Sequence, residues 1–490
     1  MKPALATREP LPAPARAREP APEPARLTPE ERLRALCDPG SLELIRTGVA
    51  SRSARSAPGD GVAAGAGLIR GRPVYSYAQD QSFAGGSLGT AQAETIVRVL
   101  ELAGRSGAPV VGFVASGGAR IDEGAAALGG YGSIFRAHVA LSGRVPQISV
   151  ITGTSAGGGA YSPALTDFVV MVEGSRLFLT GPAVVEEVMG EHVSMDELGG
   201  TRVHSRNGVC DLVAADDHSA ADLTRELIAH LPQSSELSPD PILPEEPLGG
   251  DPAEPVPADP RKVYDVRAVI RRIADRSAML ELSERWARNM VTALIRLGGH
   301  PVGVVANQPH HLGGAIDSAA SEKAARFIRR CDAFGLPLAV LVDTPGFLPG
   351  TKQERMGVIR HGAGLLDAFS AAQVPKVTVV LRKAYGGGFI TMNSRTLGAD
   401  LALAWPSAEI GVLGARQAVG IVHRRELAEA EDPEAERVRL AAEYAESHLR
   451  ADVAAAAGDV DEVISPADTR RRLIWAISMV GSNPTERSTS

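Results

Sequence analysis

The sequence is poor in cysteine, in aromatic residues and in long apolar runs. Only three cysteines are present, Cys37, Cys210 and Cys331, and they are scattered, so neither a disulfide framework nor a zinc cluster is predicted. Aromatic residues make up 4% of the chain. No apolar run reaches the roughly 18 residues that a membrane-spanning helix needs. The first residues are rich in Arg, Glu and Pro instead of forming an apolar signal core, so we expect a cytoplasmic protein.

The charge balance restricts the kinds of molecule that the protein is expected to bind. The chain carries 51 basic and 58 acidic residues, a formal net charge of −7, which argues against nucleic acid as the main partner. Its composition is that of a globular protein, with 44% hydrophobic residues. A chain of 490 residues is too long for one ordinary core, so we expect two domains of roughly 200 residues each.

Composition also suggests where the chain divides. Residues 1–26 hold mainly Ala, Pro, Arg and Glu and predict a disordered tail. Residues 232–260 are dense in proline and acidic residues, which is typical of an extended linker. The sequence therefore predicts one domain over residues 27–231 and a second over residues 261–490.

A glycine-ended strand occurs once in each half. Residues 145–163 read VPQISVITGTSAGGGAYSP and residues 374–389 read VPKVTVVLRKAYGGGF, with the two Gly triplets 229 residues apart. The repeat predicts two related domains. Short β-branched runs alternate with helical patterns, which indicates buried parallel strands and an α/β fold. One helix is predicted over residues 320–334, ending at the Gly-Leu-Pro of residues 335–337.

Glycines between a strand and a helix let backbone N–H groups approach a ligand. Neither triplet fits a P-loop or a dinucleotide fingerprint, which leaves an oxyanion hole. The first copy also reads Gly-x-Ser-x-Gly, the nucleophile elbow of serine hydrolases, with Ser155 as the candidate nucleophile. The second copy has Ala384 at that position, so the repeat retains the glycines and not the serine.

Several long motifs, in order, resemble the carboxyltransferase β subunit of biotin-dependent acyl-CoA carboxylases. They include SGGARIDEG (116–124), GGGAYSPALTDF (157–168), DTPGFLPGTKQE (343–354) and RKAYGGGF (382–389). The resemblance runs from about residue 32 to about residue 473. It implies two crotonase-like domains of the ClpP/crotonase superfamily in one chain.

The resemblance also implies the site. The backbone N–H groups of Gly157 and Gly158 would bind the acyl-CoA thioester oxygen, and those of Gly387 and Gly388 the ureido oxygen of biotin. Biotin would act as the base, so no acid–base side chain is required. The expected substrate-binding residues are Ser116, Gly117, Gly118, Ala119, Arg120 and Ile390.

Other polar residues have weaker expectations. Arg120 is expected to favour a phosphate, to fix its loop or to form a surface salt bridge. The Asp122-Glu123 pair is expected to cap the helix that follows it, and His310-His311 lacks the further ligands of a metal site, so no metal is predicted. Arg382-Lys383 would steer an anionic ligand or lie solvated. Ile390 stands where many propionyl-type enzymes carry Asp, which leaves the acyl preference open.

The family implies biotin on a separate carrier, since no Met-Lys-Met biotinylation site is present. It implies a biotin carboxylase or carrier partner and a homo-hexamer built as a trimer of dimers, with no membrane partner. The first hypothesis is carboxyl transfer from carboxybiotin to a short-chain acyl-CoA of the acetyl or propionyl type. The alternatives are decarboxylation of a malonyl- or methylmalonyl-type thioester, a serine hydrolase and a non-catalytic scaffold.

Overall fold

Two sheets, one in each half of the chain, organise the fold. The structure is a computed structural model, and it describes residues 26–51 and 57–480. The predicted disordered tail lies outside the described residues except for Arg26. Within the described ranges, no helix is both long enough and apolar enough to cross a membrane.

The strands have the following bounds. In the first half they are β1 (Glu43–Leu44), β2 (Val62–Ile69), β3 (Arg72–Gln79), β4 (Val110–Val114), β5 (Gln147–Ile151), β6 (Thr154–Ala156), β7 (Phe168–Val172), β8 (Arg176–Phe178) and β9 (Leu212–Ala214). In the second half they are β10 (Leu280–Leu282), β11 (Met290–Leu297), β12 (His300–Asn307), β13 (Leu338–Thr344), β14 (Lys376–Tyr385), β15 (Leu401–Ala404), β16 (Glu409–Gly411) and β17 (Glu462–Val463).

The helices surround these sheets. In the first half they are α1 (Pro29–Leu36), α2 (Thr90–Ser106), α3 (Ala125–Leu141), α4 (Gly158–Ala164), α5 (Pro182–Met189), α6 (Met195–Gly199), α7 (Thr201–Asn207) and α8 (Asp217–His230). In the second half they are α9 (Arg267–Ile273), α10 (Ser318–Ala333), α11 (Thr351–Arg355), α12 (Val358–Ala371), α13 (Gly386–Thr391), α14 (Ala415–Val422), α15 (Arg424–Glu429), α16 (Pro433–Tyr444), α17 (Ala451–Ala457) and α18 (Thr469–Val480).

The two sheets have the same strand order. The first runs β1-β2-β3-β4-β5-β7-β9, and the second runs β10-β11-β12-β13-β14-β15-β17. In each sheet an antiparallel edge is followed by parallel strands, from β3 onward in the first and from β12 onward in the second. β6 and β8 form a small separate pair, while their counterparts are the end of β14 and β16. The predicted α/β fold and its internal duplication are confirmed.

Burial explains why these segments form strands. Every residue of β4, β5 and β13 is buried, as expected for parallel strands covered on both faces. The predicted helix over residues 320–334 is α10. Asp317 caps its N-terminus by accepting a hydrogen bond from the Ala320 N–H at 2.8 Å. It ends just before Gly335, whose φ of +65° favours glycine.

Residues 232–260 contain neither helix nor strand, and the first sheet lies before them and the second after them. The domain bounds proposed from the sequence stay a prediction. The two halves also share buried apolar contacts, because side chains of β7 and α10 belong to one hydrophobic cluster. The two halves therefore share a hydrophobic core, although residues 232–260 separate them in the sequence.

A buried carboxylate joins the two halves. Asp211, just before β9, is 4% exposed and accepts bonds from Arg330 of α10 at 2.9 and 3.2 Å. The Ser283 N–H of the second half donates to the Asp211 carbonyl at 2.7 Å. Burial opposes ionisation, but Arg330 and Arg326 outweigh it and hold the pKa of Asp211 below its usual value. The carboxylate therefore contributes stability at neutral pH, and that contribution is lost as the pH falls below the usual aspartate range.

We predict that Asp211→Asn destabilises the protein by roughly 3–5 kcal/mol, because it leaves a largely buried arginine without its counter-charge. Thermal unfolding at neutral pH measures the effect. Glu30→Gln is the control, since it removes an exposed ion pair with Arg34 within α1 and is expected to cost less than about 1 kcal/mol. Equal melting temperatures for Asp211→Asn and the wild-type protein would contradict the proposed joining role.

Candidate active site at two glycine turns

The first glycine turn (residues 157–159) connects β6 to α4. Gly157 has φ +56° and ψ −123°, a conformation that residues with a Cβ rarely adopt. Its N–H donates to the carbonyls of Phe178 and Leu179 at 3.2 and 3.1 Å. The structure thus differs from the expectation that Gly157 offers a free donor, because this N–H is already engaged.

Gly158 and Gly159 begin α4, where N–H groups have no acceptor within the helix. The ring of Tyr131, a buried residue of α3, packs against this turn. A Cβ added at Gly158 would lie 2.6 Å from the Tyr131 ring, so only glycine fits there. With the Gly157 N–H engaged, the N–H groups of Gly158 and Gly159 are the two of this turn that remain for a ligand.

The β4 loop (residues 116–120) lies beside the first glycine turn. The Ala156 N–H donates to the Ser116 carbonyl at 2.8 Å. Gly118, with φ +101°, directs the position of its missing Cβ toward the Ala156 carbonyl, 3.9 Å away. Ser116 is fully buried, and its Oγ lies 2.7 Å from the Tyr131 hydroxyl. The structure therefore brings the predicted loop and the predicted turn together.

Arg120 is neither a surface residue nor a free phosphate ligand. It is 3% exposed, and its Nη1 contacts Asp60 at 2.9 Å and Glu123 at 2.9 Å. Its Nη2 donates to the Ser87 carbonyl at 3.1 Å. Of the three expected roles, the structure supports the one that fixes the loop, and the surface salt bridge is wrong.

Glu123 also differs from expectation. Its carboxylate accepts hydrogen bonds from the Thr90 N–H and hydroxyl, both at 2.7 Å, so it caps α2. The following helix, α3, begins after Gly124 without a side-chain cap. The expectation that the Asp122-Glu123 pair caps the next helix is wrong, because the turn directs Glu123 back toward the preceding helix.

Ser155 lacks the surroundings of a nucleophile. It is fully buried, and within the described part of the chain its Oγ has no hydrogen-bond partner. A serine nucleophile needs a base within hydrogen-bond reach and an exposed hydroxyl. The geometry favours a small residue packed beneath the turn.

The second glycine turn (residues 386–388) follows β14 and opens α13. Gly386 has φ +57°, almost the value at Gly157. A Cβ added at Gly387 would make ordinary contact with Phe347 at 3.7 Å, whereas one at Gly388 would lie 2.7 Å from the Gly346 Cα. Gly387 and Gly388 thus stand at the start of a helix as expected, with Gly387 facing the more open space.

The basic pair before the second turn does not lie solvated. Arg382 is 4% exposed, and its Nε donates to Asp343 at 3.0 Å. Its Nη1 donates to the Lys262 carbonyl at 2.8 Å, and its guanidinium lies 5.1 Å from the Tyr264 ring.

Burial raises the pKa of Asp343, while Arg382 opposes that shift. Arg382 holds the segment around residue 262 against β14, so its expected steering role is wrong. Lys383 is half-buried, 3.4 Å from the Pro260 carbonyl.

Exposed apolar side chains surround both turns. Ile390 on α13 is 47% exposed, and Tyr161, at the same place on α4, is 53% exposed. Leu179, whose carbonyl accepts from the Gly157 N–H, is 54% exposed, and Val412, whose carbonyl lies 3.1 Å from the position of a Cβ at Gly386, is 77% exposed. These four residues form the apolar rim of the two turns, and exposed apolar side chains gathered in this way are typical of a binding surface.

Sequence reasoning missed Tyr131, Phe347 and Asp60, which support the two turns. Tyr131 lies in the glycine-rich GGYGSIF of α3, and an aromatic residue among glycines was the available signal. Asp60 is 60 residues from Arg120, so spacing offered no clue to their pairing. In the ranges described, no group of three or more His, Cys, Asp or Glu is arranged to hold a metal ion. The His310 and His311 rings lie 5.3 Å apart.

Comparison with known proteins adds independent observations. Residues 22–490 match the family described as "Carboxyl transferase domain". A propionyl-CoA carboxylase beta chain of Saccharopolyspora erythraea is 47% identical, over 95% of this chain and 89% of its own. A methylmalonyl-CoA decarboxylase subunit alpha of Propionigenium modestum is 42% identical, over 93% of this chain and 90% of its own.

A solved structure agrees in fold. The transcarboxylase 12S structure, described as a hexamer with methylmalonyl-coenzyme A and methylmalonic acid bound, superposes with a TM-score of 0.91 at 45% identity. The alignment covers 95% of this chain and 91% of that one. This likeness confirms the crotonase-like fold expected from the motifs. The duplicated glycine turns and the matches along nearly the whole chain lead to one conclusion: the chain belongs to the carboxyl transferase family, which includes the carboxyltransferase subunits of acyl-CoA carboxylases.

Proposed function

We propose that this protein is a biotin-dependent carboxyltransferase that moves CO2 from carboxybiotin to the α-carbon of a short-chain acyl-CoA. The observation that carries the proposal is the duplicated turn, with glycine φ values of +56° and +57° and a helix that begins directly after Gly157 and at Gly386. Each turn offers N–H donors to a developing oxyanion. A reaction with two carbonyl-derived anions needs two such sites.

The first glycine turn is assigned to the thioester. The Gly158 N–H would stabilise the enolate oxygen of the acyl-CoA, with the β4 loop alongside it. The contacts of the Gly157 N–H with β8 fix the direction of this turn. An N–H held by the fold stabilises the anion without reorganising during the reaction, which is the basis of this kind of catalysis.

The second glycine turn is assigned to biotin. Gly387 and Gly388 would hold its ureido oxygen, while Phe347 and the exposed Ile390 offer the apolar surface that a flat ring system requires. Biotin supplies the transferable CO2 and the base that takes the α-proton. The residues around Gly387 fit this group, since the position of a missing Cβ has only ordinary contacts with Phe347.

Assembly with other chains is part of the proposal. Biotin would arrive on a separate carrier protein that works with a biotin carboxylase. The apolar rim around each turn supports pairing of the first half of one protomer with the second half of another. The hexamer described for the transcarboxylase 12S relative supports a hexamer here, which we propose to be a trimer of dimers.

Decarboxylation of a malonyl- or methylmalonyl-type thioester is a second candidate. It uses the same donors, because the enolate that attacks CO2 is also the enolate that decarboxylation produces. The similarity to a methylmalonyl-CoA decarboxylase subunit supports decarboxylation as the second candidate function. Incubating the pure protein with free biotin and a panel of acyl- and malonyl-CoAs, then measuring carboxyl transfer and CO2 release separately, distinguishes the two candidates.

We predict that Gly387→Val lowers carboxyl transfer to free biotin by about 100- to 1000-fold, because its side chain keeps the ureido oxygen away from the backbone donor, with the same effect as losing that donor. The valine methyl groups would occupy the space assigned to the biotin ring. Calorimetry should show acyl-CoA binding unchanged. Gly364→Val in α12 is the control, because it adds the same side chain at a helical glycine where a Cβ meets nothing within 4 Å. Full transfer activity in a folded Gly387→Val variant would contradict the assignment.

Ser155→Ala is expected to keep most of the activity, because the hydroxyl is buried without a partner and alanine is smaller than the residue it replaces. Steady-state transfer rates measure this. A fluorophosphonate probe should leave the wild-type protein unlabelled. Covalent labelling of Ser155, or a loss of activity comparable to that of Gly387→Val, would restore the hydrolase hypothesis.

The proposed hexamer leads to a further prediction. Light scattering at micromolar concentration should give six times the chain mass of 51.1 kDa. Val412→Arg, which places a charge in the apolar rim at a residue that is 77% exposed, should lower that mass and the transfer rate together. A monomeric mass for the wild-type protein would overturn the shared-site arrangement.

A further inference from the structure

The support behind the two glycine turns differs, although the turns themselves match. Behind Gly387 lies Phe347, which has no polar group, and behind Gly388 lies the backbone of Gly346. Behind Gly158 lies the ring of Tyr131, whose hydroxyl reaches further polar groups. This difference indicates that the residue behind the first turn has a polar role that the residues behind the second turn lack.

Tyr131 connects both segments that would surround the thioester. Its ring lies 2.6 Å from the position of a Cβ at Gly158 of α4, and its hydroxyl lies 2.7 Å from Ser116 Oγ in the β4 loop. The Gly118 N–H donates to the same Ser116 Oγ at 3.4 Å. One side chain therefore links the first turn of α4, through its ring, to the loop beside it, through its hydroxyl.

The ring itself cannot move aside. Tyr131 is 5% exposed, and the cavity behind it measures about 10 Å³, no more than the room of one water molecule. Burial raises the pKa of Tyr131 despite its hydrogen bond to Ser116, so the hydroxyl keeps its proton and can donate it to Ser116 Oγ.

We propose that Tyr131 is a positioning residue for the thioester side of the reaction. Its ring packs against Gly158 and its hydroxyl holds the β4 loop through Ser116, and together these contacts set the angle at which the Gly158 N–H faces the developing enolate. This inference rests on the proposed function, since it names the residue that directs that donor. Tyr131 does not touch the reacting atoms and acts through Gly158 and Ser116.

The test is Tyr131→Phe, which removes the hydroxyl and keeps the ring against Gly158. Misplacing a donor costs about 10- to 100-fold in rate, so kcat for carboxyl transfer should fall by that factor while the melting temperature and KM for acyl-CoA stay near wild type. Binding of a nitronate-bearing CoA thioether, which carries the charge of the enolate, should weaken by a similar factor. Binding of a neutral CoA thioether should not.

Tyr77→Phe is the matched control, because Tyr77 is a buried tyrosine of the same half that belongs to β3. Its rate and nitronate binding should equal those of the wild-type protein. Ser116→Ala combined with Tyr131→Phe should cost no more than the larger single change, since both break one chain of hydrogen bonds.

The outcomes separate the two proposals. An inactive wild-type protein would overturn the proposed function. An active wild-type protein with unchanged kcat and nitronate binding in Tyr131→Phe would overturn the positioning role alone. A lowered melting temperature with unchanged kcat would also overturn it, because it would show a structural role only.

Discussion

The structure depends on one backbone constraint, a positive φ at the junction between a strand and the helix that follows it. Gly157 and Gly386 adopt φ values of +56° and +57°, which cost a residue with a Cβ on the order of 1 kcal/mol or more. The turn reverses the chain so sharply that the helix starts at the very next residue or within the turn. Its first N–H groups then have no acceptor within the helix and are available to other groups.

Buried ion pairs hold the segments next to these turns. Arg120 pairs with Asp60 beside the first turn, and Arg382 pairs with Asp343 beside the second. A buried charge without its partner is strongly destabilising, so each pair fixes its loop in one arrangement. Arg120 of the SGGARIDEG motif and Arg382 of the RKAYGGGF motif therefore bind carboxylates of the protein itself. Their contribution to the site is to keep the glycines in place.

Much of the fold could be predicted from the sequence, because buried strands and amphipathic helices follow local patterns. The duplication was visible for the same reason, since two Val-Pro segments precede two glycine triplets at equal spacing. The surroundings of the site could not be predicted in this way. Asp60 lies 60 residues from Arg120, and nothing in the spacing shows that a fold brings them together. Whether the Gly157 N–H is free depends on β8, a strand that begins 19 residues later.

Duplication explains why the two halves share a turn, and divergence explains why they need not share a chemistry. The backbone turn is constrained by φ and cannot change without losing the helix start. The side chains behind it carry no such constraint, so one copy has a tyrosine whose ring packs on α4 and whose hydroxyl bonds to the β4 loop, and the other has Phe347 and a glycine backbone. A polar support can fix the angle of a donor, whereas an apolar one mainly sets the shape of the space in front. The first turn is therefore better suited to stabilising charge that appears during the reaction, and the second to receiving a flat ring that arrives already formed.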